Sequence, residues 1–259
     1  MPPPALRRED GRPGRERAET TVKLAELNQE GARSAAQSGL VALLPIGATE
    51  VHGNHLPVGT DCFLAQAVTD RVEKAFGTDK CLVLPCLPYG QVWSLRATPG
   101  TVDIPDPVLT PFLVSIAMSM YRAGVRRFAF INAHVGNYPA IKAAMREIWA
   151  QCDMKVYAFN YPGSEDVIRQ VCTTKRAHGA YFHACEIETS YMLYLCPDKV
   201  DMSKAICQYP EFPPDFDVTP IPWTDFMDTA VLGDATAATA EKGRAIIDAV
   251  VENIVRLLG

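Results

Sequence analysis

The sequence predicts a single α/β domain in which a mainly parallel β-sheet lies between two layers of helices. Short apolar runs alternate along the chain with longer amphipathic stretches, as they do in βαβ units. The apolar runs have almost no polar residues, which is typical of parallel strands that are buried on both faces. The chain has 259 residues, a length that one α/β domain can occupy.

The predicted elements follow one another from about residue 21. A first helix is predicted over residues 21–37, and Ser38 and Gly39 end it, since glycine is common just after a helix. Four strands are predicted, over residues 40–46, 81–87, 128–131 and 154–160. The further predicted helices span residues 61–75, 107–123, 138–151, 186–195 and 237–258. The proline-rich segment 209–224 predicts an ordered loop that serves either as a pocket lid or as an oligomer contact.

Composition and charge exclude several classes of partner. Residues 1–20 are rich in Arg, Pro and acidic residues, so we expect a flexible tail ahead of a folded domain over residues 21–259. No apolar stretch is long enough for a signal peptide or a membrane span, which predicts a cytoplasmic protein without a membrane partner. The net charge of -5 argues against nucleic acid as a partner. The eight cysteines form no CxxC pair, and we expect free thiols.

Polar side chains are concentrated where predicted strands end or a helix begins. Ligands of parallel sheets bind at the carboxyl ends of the strands, so these segments are the candidates for a site. The segments 47–61, 132–137 and 183–190 hold four of the five histidines, together with several carboxylates. The candidate residues in them are Glu50, His52, His55, Asp61, His134, His183, Glu186 and Glu188.

Imidazole and carboxylate groups together are suitable ligands for Zn, Mn or Fe(II), and a carboxylate can bridge two ions. A water held between such ions becomes a nucleophile near neutral pH, so the pattern indicates a hydrolytic metal site. One histidine beside a strand is more often structural, and the hypothesis therefore depends on the three segments together. Cys185 lies between His183 and Glu186 and is the alternative nucleophile, whereas His178 has no motif around it.

At these residues the chain resembles the creatininase family of metal-dependent amidohydrolases. Residues 47–61 are similar to the family motif G-[ST]-x-E-Q-H-G-P-H-L-P-x-x-T-D, and residues 132–137 are similar to N-G-H-x-x-N. Residues 183–190 are similar to H-A-G-x-x-E-T-S. Shorter similarities occur at residues 88–90, 99–101 and 233–243, so that the resemblance covers roughly residues 38–258.

The resemblance implies a creatininase-like α/β/α fold with two divalent ions per chain (Zn, Mn or Fe) at the carboxyl edge of the sheet. One ion would be held by Glu50, Asp61 and His134. The other would be held by His52, Asp61 and a further carboxylate, with Asp61 bridging the two.

In the creatinine-hydrolysing members of the family, the further carboxylate lies two residues after the histidine of the second motif. This chain differs at that position. That position is Gly136 here, so we expect Glu186 to supply the ligand and the substrate not to be creatinine. His183 is the expected general acid/base, and Glu188 is expected to orient it or to hold a water molecule.

The resemblance also implies a hydrolase in which a metal-bridged hydroxide cleaves a C–N bond of a small polar cyclic or linear amide. Tyr89, Trp93 and Arg96 are the expected substrate contacts, and Arg96 stands where the family commonly has histidine. One alternative is C–C ring opening of a cyclic polyol ketone of the inosose type, and another is a metal-binding protein without catalysis. Because family members generally form homohexamers, we expect a homo-oligomer.

Overall fold

The computed structural model describes residues 22–259, so the tail predicted over residues 1–20 lies outside the described residues. Its central sheet has four parallel strands in the order β2-β1-β3-β4. These are β1 (Val41–Ile46), β2 (Cys81–Val83), β3 (Arg127–Asn132) and β4 (Lys155–Phe159). Strands β1 and β3 pair along their whole length, from Val41 opposite Arg127 to Ile46 opposite Asn132. The carboxyl ends of these two central strands therefore lie side by side.

Seven α-helices cover the two faces of the sheet within the described part of the chain. They are α1 (Gln29–Gln37), α2 (Thr60–Phe76), α3 (Asp106–Ala123), α4 (Tyr138–Gln151), α5 (Ser164–Val171), α6 (Glu186–Leu195) and α7 (Ala240–Leu258). Helices α1, α3 and α4 pack against one face, and α2, α5, α6 and α7 pack against the other. A short antiparallel ribbon of β5 (Cys207–Gln208) and β6 (Gly233–Asp234) lies apart from the sheet.

Successive side chains of β3 enter the two different cores. Phe128 and Phe130 pack with α1, α3 and α4, whereas Ala129 and Ile131 pack with the helices of the opposite face. All four side chains are almost fully buried. A strand that must be apolar on both sides loses the alternation of a half-exposed strand, which is why the predicted strands were continuous apolar runs. The predicted fold class, a mainly parallel sheet between helical layers, is confirmed.

Several elements differ in their bounds from the prediction, and three short ones were absent from it. Helix α1 begins only at Gln29, because the side chain of Asn28 accepts a hydrogen bond from the Gly31 backbone N–H and caps the helix there. Strand β2 ends at Val83, two residues before Pro85, which cannot donate a backbone hydrogen bond to the sheet. Helix α5 was not predicted, and the two-residue strands β5 and β6 are too short to leave a periodic pattern.

Candidate metal centre

The candidate centre lies at the carboxyl ends of β1 and β3. The turn after β1 carries Glu50 and His52, and the turn after β3 carries His134. Asp61 is the second residue of α2. The remaining members are His183, in the segment that leads into α6, and Glu188, in the first turn of that helix. All six side chains are buried, with at most 8% of any residue exposed.

One group of possible ligands consists of Glu50, Asp61 and His134. The Nδ1 atom of His134 lies 3.0 Å from Oε1 of Glu50 and 3.1 Å from Oδ2 of Asp61. Two carboxylates and one imidazole thus lie close enough together to hold one ion.

The second group consists of His52, Asp61 and Glu188. The Nε2 atom of His52 lies 3.3 Å from Oδ1 of Asp61 and 3.5 Å from Oε2 of Glu188. Asp61 therefore turns one oxygen toward each histidine and belongs to both groups. This is the geometry required of a carboxylate that bridges two ions.

Each histidine of the centre is oriented by a backbone carbonyl on its far side. His52 Nδ1 lies 3.1 Å from the carbonyl oxygen of Glu50, and His134 Nε2 lies 2.7 Å from that of Gln91. His183 Nε2 lies 2.8 Å from the carbonyl oxygen of Val51. Because a carbonyl oxygen only accepts, each of these ring nitrogens donates its N–H. The other nitrogen of each ring faces the carboxylates, an arrangement typical of metal-binding histidines.

Glu188 is held in place by the start of helix α6. Its Oε2 accepts a hydrogen bond of 2.6 Å from the backbone N–H of Ala184, four residues earlier. Ala184 has a left-handed backbone conformation with φ of 50°, which is uncommon for a residue with a side chain. This turn brings His183 and Glu188 to the same side of the chain, so that both reach the centre.

Glu186 does not lie in the centre, and its placement corrects the expectation that it would supply the further carboxylate. Its carboxylate accepts hydrogen bonds from the backbone N–H groups of Thr173 and Thr174, both 2.9 Å long, and pairs with the ammonium group of Lys242. Residues 186 and 188 are two positions apart on a helix, and side chains at that spacing point in different directions. The carboxylate that faces His52 is therefore that of Glu188.

The electrostatics of the centre fit a divalent cation. Burial opposes a charge on His52, but the carboxylates of Glu188 and Asp61 outweigh burial and raise its pKa well above the ordinary value. The pKa of His134 is raised in the same way by Glu50 and Asp61. His52 Nε2 and Asp61 Oδ2 are also buried without a hydrogen-bond partner among the described residues. Positive charge therefore stabilises the buried carboxylates. Metal ions would provide that charge and would also be bonding partners for His52 Nε2 and Asp61 Oδ2.

A family model described as Creatininase: Creatinine amidohydrolase matches residues 25–258. The chain belongs to the creatininase family. The creatinine amidohydrolase of Pseudomonas putida is 31% identical over 231 residues, which cover 83% of this chain and 86% of that protein. A mycofactocin precursor peptide peptidase of Mycolicibacterium smegmatis is 31% identical over 221 residues, which cover 80% of this chain and 79% of the relative.

A more distant relative and two solved structures extend the comparison. A 3-dehydro-scyllo-inosose hydrolase of Thermotoga maritima is 27% identical over 243 residues, which cover 83% of this chain and 76% of that protein. A mutant creatininase of the Zn-Zn type superposes with a TM-score of 0.79 at 31% identity, covering 92% of this chain and 97% of the other. A creatininase with Mn superposes with a TM-score of 0.77 at 30% identity, covering 92% and 98%. The chain is therefore a hydrolase of the creatininase family with a candidate metal site.

The centre of this creatininase-family chain opens into a cavity of about 840 Å³. Glu50, His134, His183 and Glu188 form part of its wall. Aromatic side chains form another part and comprise Trp93, Tyr138, Tyr161, Tyr181, Phe182, Phe216 and Trp223. Because Phe216, Thr219 and Trp223 of the proline-rich loop contribute to this wall, the loop lies beside the cavity.

Of the three expected substrate contacts, only Trp93 lines the cavity. Tyr89 lies outside the lining, with 48% of its surface exposed. Arg96 is exposed, and its guanidinium group stacks on the outer part of Trp93 with 4.6 Å to the ring centroid. The structure therefore corrects the expectation for Tyr89 and Arg96.

Sequence reasoning missed Arg176, the one Lys or Arg among the described residues that line the cavity. Its Nη2 pairs with both carboxylate oxygens of Glu165 at 2.8 and 2.9 Å. Both residues lie outside the three motifs, so no sequence signal marked them.

Of the remaining histidines, His55 forms a hydrogen bond with Thr189, and His178 packs against Tyr181 and Phe216. No helix within residues 22–259 is both long and apolar enough to cross a membrane.

Proposed function

We propose that this chain is a metal-dependent hydrolase that cleaves a C–N bond in an amide substrate other than creatinine. The observation that carries the proposal is the pair of ligand groups that share Asp61 at the wall of a large cavity. Divalent ions, when bound, lower the pKa of a coordinated water and polarise a carbonyl group, the two requirements of amide hydrolysis. Relatives crystallised with Zn and with Mn support these ions for the site, and Fe(II) suits the same ligands.

Six residues have distinct roles in this proposal. Glu50, Asp61 and His134 hold one ion, and His52, Asp61 and Glu188 hold the other. His183 remains for proton transfer. Because its Nε2 donates to the Val51 carbonyl, His183 would accept or release a proton at Nδ1, the nitrogen that faces Glu50 at 3.7 Å. Glu188 thereby becomes a ligand rather than a partner of the acid/base histidine.

The surroundings of Gly136 support a substrate other than creatinine. A Cβ atom at this position would lie 2.4 Å from the Gln91 carbonyl oxygen and 2.4 Å from His134 Nε2, the two atoms that hydrogen-bond each other. A carboxylate therefore cannot enter here without displacing His134, and Glu188 takes the role that this position has in the creatinine-hydrolysing members of the family. The cavity of about 840 Å³ also lies within the range of pockets for drug-sized ligands, about 300–1,000 Å³.

A second candidate function is C–C ring opening of a cyclic polyol ketone. The similarity to the Thermotoga hydrolase favours it, since the same activated water can attack a ketone carbonyl. Arg96, whose guanidinium group could have bound the hydroxyl groups of such a substrate, is exposed and lies outside the cavity lining. The other alternative, a metal-binding protein without catalysis, predicts bound ions without turnover of any substrate.

A substrate panel with product analysis tests the proposal. The panel contains creatinine, cyclic amides, short peptides and inosose-type ketones, each incubated with protein loaded with Zn²⁺ or Mn²⁺ and with protein treated with a chelator. We expect turnover of an amide or peptide, little turnover of creatinine, and loss of activity on chelation. Turnover of ketones alone would support ring opening instead, and two bound ions without any turnover would support a metal-binding role.

Variants of the first ligand group complete the test. Glu50→Ala and His134→Ala are expected to lose bound metal and activity together, because each removes one of three ligands of the same ion. Metal content is measured by elemental analysis, and circular dichroism checks that the variants remain folded. A folded variant that has lost its metal but hydrolyses the amide at the native rate would contradict the proposal.

A further inference from the structure

Two cysteines, Cys62 and Cys86, lie near Asp61 and outside the lining of the cavity. Cys62 is the next residue of α2, and Cys86 belongs to the segment that follows β2. Both thiols are free and half-buried, and neither residue lines the cavity. The hydrolytic mechanism proposed above uses neither of them.

The two side chains meet where β1, β2 and α2 come together. The Sγ atom of Cys62 lies 3.2 Å from the carbonyl oxygen of Ala48 and 3.6 Å from that of Pro88. The Sγ atom of Cys86 lies 3.8 Å from the carbonyl oxygen of Cys62. The sulfur of Cys86 therefore reaches the backbone of Cys62. A disulfide between the two requires Cβ atoms about 3.5–4.5 Å apart, which the pair attains by rotation of both side chains together with a shift of the turn that carries Cys62.

We propose that Cys62 and Cys86 form a redox-sensitive pair that a peroxide converts into a disulfide, and that this disulfide weakens metal binding at Asp61. In the first step one thiol attacks the peroxide, its sulfur becomes a sulfenic acid, and water leaves when hydrogen peroxide is the oxidant. In the second step the other thiol attacks that sulfur, the S–S bond forms, and a second water leaves. Two electrons pass from the two thiols to the O–O bond of the peroxide.

The link to the metal centre follows from the tight packing at the start of α2. A Cβ atom on Gly47 would lie 2.5 Å from the backbone nitrogen of Cys62, so the end of β1 and the first turn of α2 are in close contact. An S–S bond of about 2.05 Å requires the Cys62 sulfur to leave its present contacts and shifts this turn. Asp61 is covalently attached to Cys62. Because Asp61 belongs to both ligand groups and a metal site requires its ligands at defined distances, a shift of this carboxylate would weaken the binding of both ions.

Oxidation of the Zn²⁺-loaded protein tests both parts of the proposal, and zinc is chosen because it has no redox chemistry of its own. The protein is treated with hydrogen peroxide, free thiols are alkylated, and peptides are mapped by mass spectrometry. We expect a Cys62–Cys86 disulfide and, by chelator competition, Zn²⁺ affinity about tenfold lower. Dithiothreitol should reverse both changes. Since no turnover is measured, the outcome is independent of the proposed hydrolysis.

Two serine variants provide the controls. Cys86→Ser leaves Cys62 without its partner, and peroxide should then give neither the disulfide nor a reversible loss of affinity. Cys152→Ser removes another half-buried thiol, whose sulfur lies 3.8 Å from Met118 Sδ, and should respond like the native chain. Full alkylation of Cys62 and Cys86 after peroxide, or pairing of either with another cysteine, overturns the proposal. A mapped disulfide with unchanged Zn²⁺ affinity overturns its second part.

Discussion

Asp61 is the residue on which both ligand groups depend. Its Oδ2 faces His134 at 3.1 Å and its Oδ1 faces His52 at 3.3 Å. Burial would raise the pKa of this carboxyl group, but the positive charges of His52 and His134 outweigh burial and lower it. Asp61 is therefore ionised throughout the neutral range, as a bridging ligand must be.

The choice between Glu186 and Glu188 can be decided by exchanging each for glutamine. Glu188→Gln is expected to lower Zn²⁺ affinity by at least about tenfold, because it removes a charged ligand that lies 3.5 Å from His52. Glu186→Gln is the matched control, two residues away on the same helix, and should keep native affinity. Chelator competition measures both values. Equal losses in the two variants would contradict the assignment of Glu188 as the ligand.

The sequence located this centre but could not resolve its individual side chains. Glu50, His52, Asp61 and His134 follow strand ends or begin a helix, and the topology of a parallel sheet brings such positions together. The selection between Glu186 and Glu188 depends on the direction in which α6 enters the fold, and the left-handed conformation of Ala184 sets that direction. Arg176 reaches the cavity through long-range packing, which no local pattern records.

At the scale of elements, α6 and α7 are joined by a buried ion pair. The carboxylate of Glu186, the first residue of α6, pairs with Lys242 in the first turn of α7. Burial would raise the pKa of Glu186, but Lys242 and the donors of Thr173 and Thr174 outweigh burial and hold the pKa at about 2. The ion pair also fixes the segment ahead of His183, since Thr173 and Thr174 belong to the chain between α5 and α6.

This ion pair predicts a pH-dependent contribution of Glu186 to stability. The folded pKa of about 2 lies below the ordinary value of 4.5, so the contribution is present above pH 4.5 and is lost as the pH falls toward 2. The difference in unfolding free energy between the native chain and Glu186→Gln should narrow by about 2 kcal/mol from pH 7 to pH 3. Urea titrations measure this difference in unfolding free energy. The control is Glu165→Gln, which alters the more exposed ion pair with Arg176. A constant difference across this range would contradict the assignment.

The bounds of elements with strong local signals were predicted correctly at both ends in two cases, whereas elements whose formation depends on tertiary packing were missed. The bounds of α4 and α6 match the prediction, because a proline in the first turn of α4 and a polar segment before α6 mark their starts. Helix α5 is only eight residues long and follows Gly163 in a left-handed conformation. Helices this short are marginal by themselves, so tertiary contacts with α7 decide whether α5 forms.

At the scale of the whole molecule, the metal centre lies between the end of the sheet and the segment that leads into α6. Removal of the ions leaves Glu50, Asp61 and Glu188 buried together, and protonation of His52 and His134 balances part of their charge. The stability of the entire chain should therefore depend on whether metal ions or protons occupy the centre, since a ligand that binds only the folded state stabilises all of it.

The thermal midpoint of the metal-free protein is expected to change more steeply with pH than that of the metal-loaded protein. His52 and His134 have folded pKa values well above 6.5, so in metal-free protein their contribution is complete below pH 6.5 and declines as the pH rises toward the folded pKa. The thermal midpoint should fall by about 3–5 °C per pH unit for each of the two histidines. In Zn²⁺-loaded protein both imidazoles are neutral ligands, and the midpoint should stay level over the same range. Calorimetry between pH 6.5 and 8.5 measures both slopes, with His178→Asn, a histidine outside the centre, as the control. Parallel slopes with and without zinc would show that His52 and His134 do not balance the carboxylates.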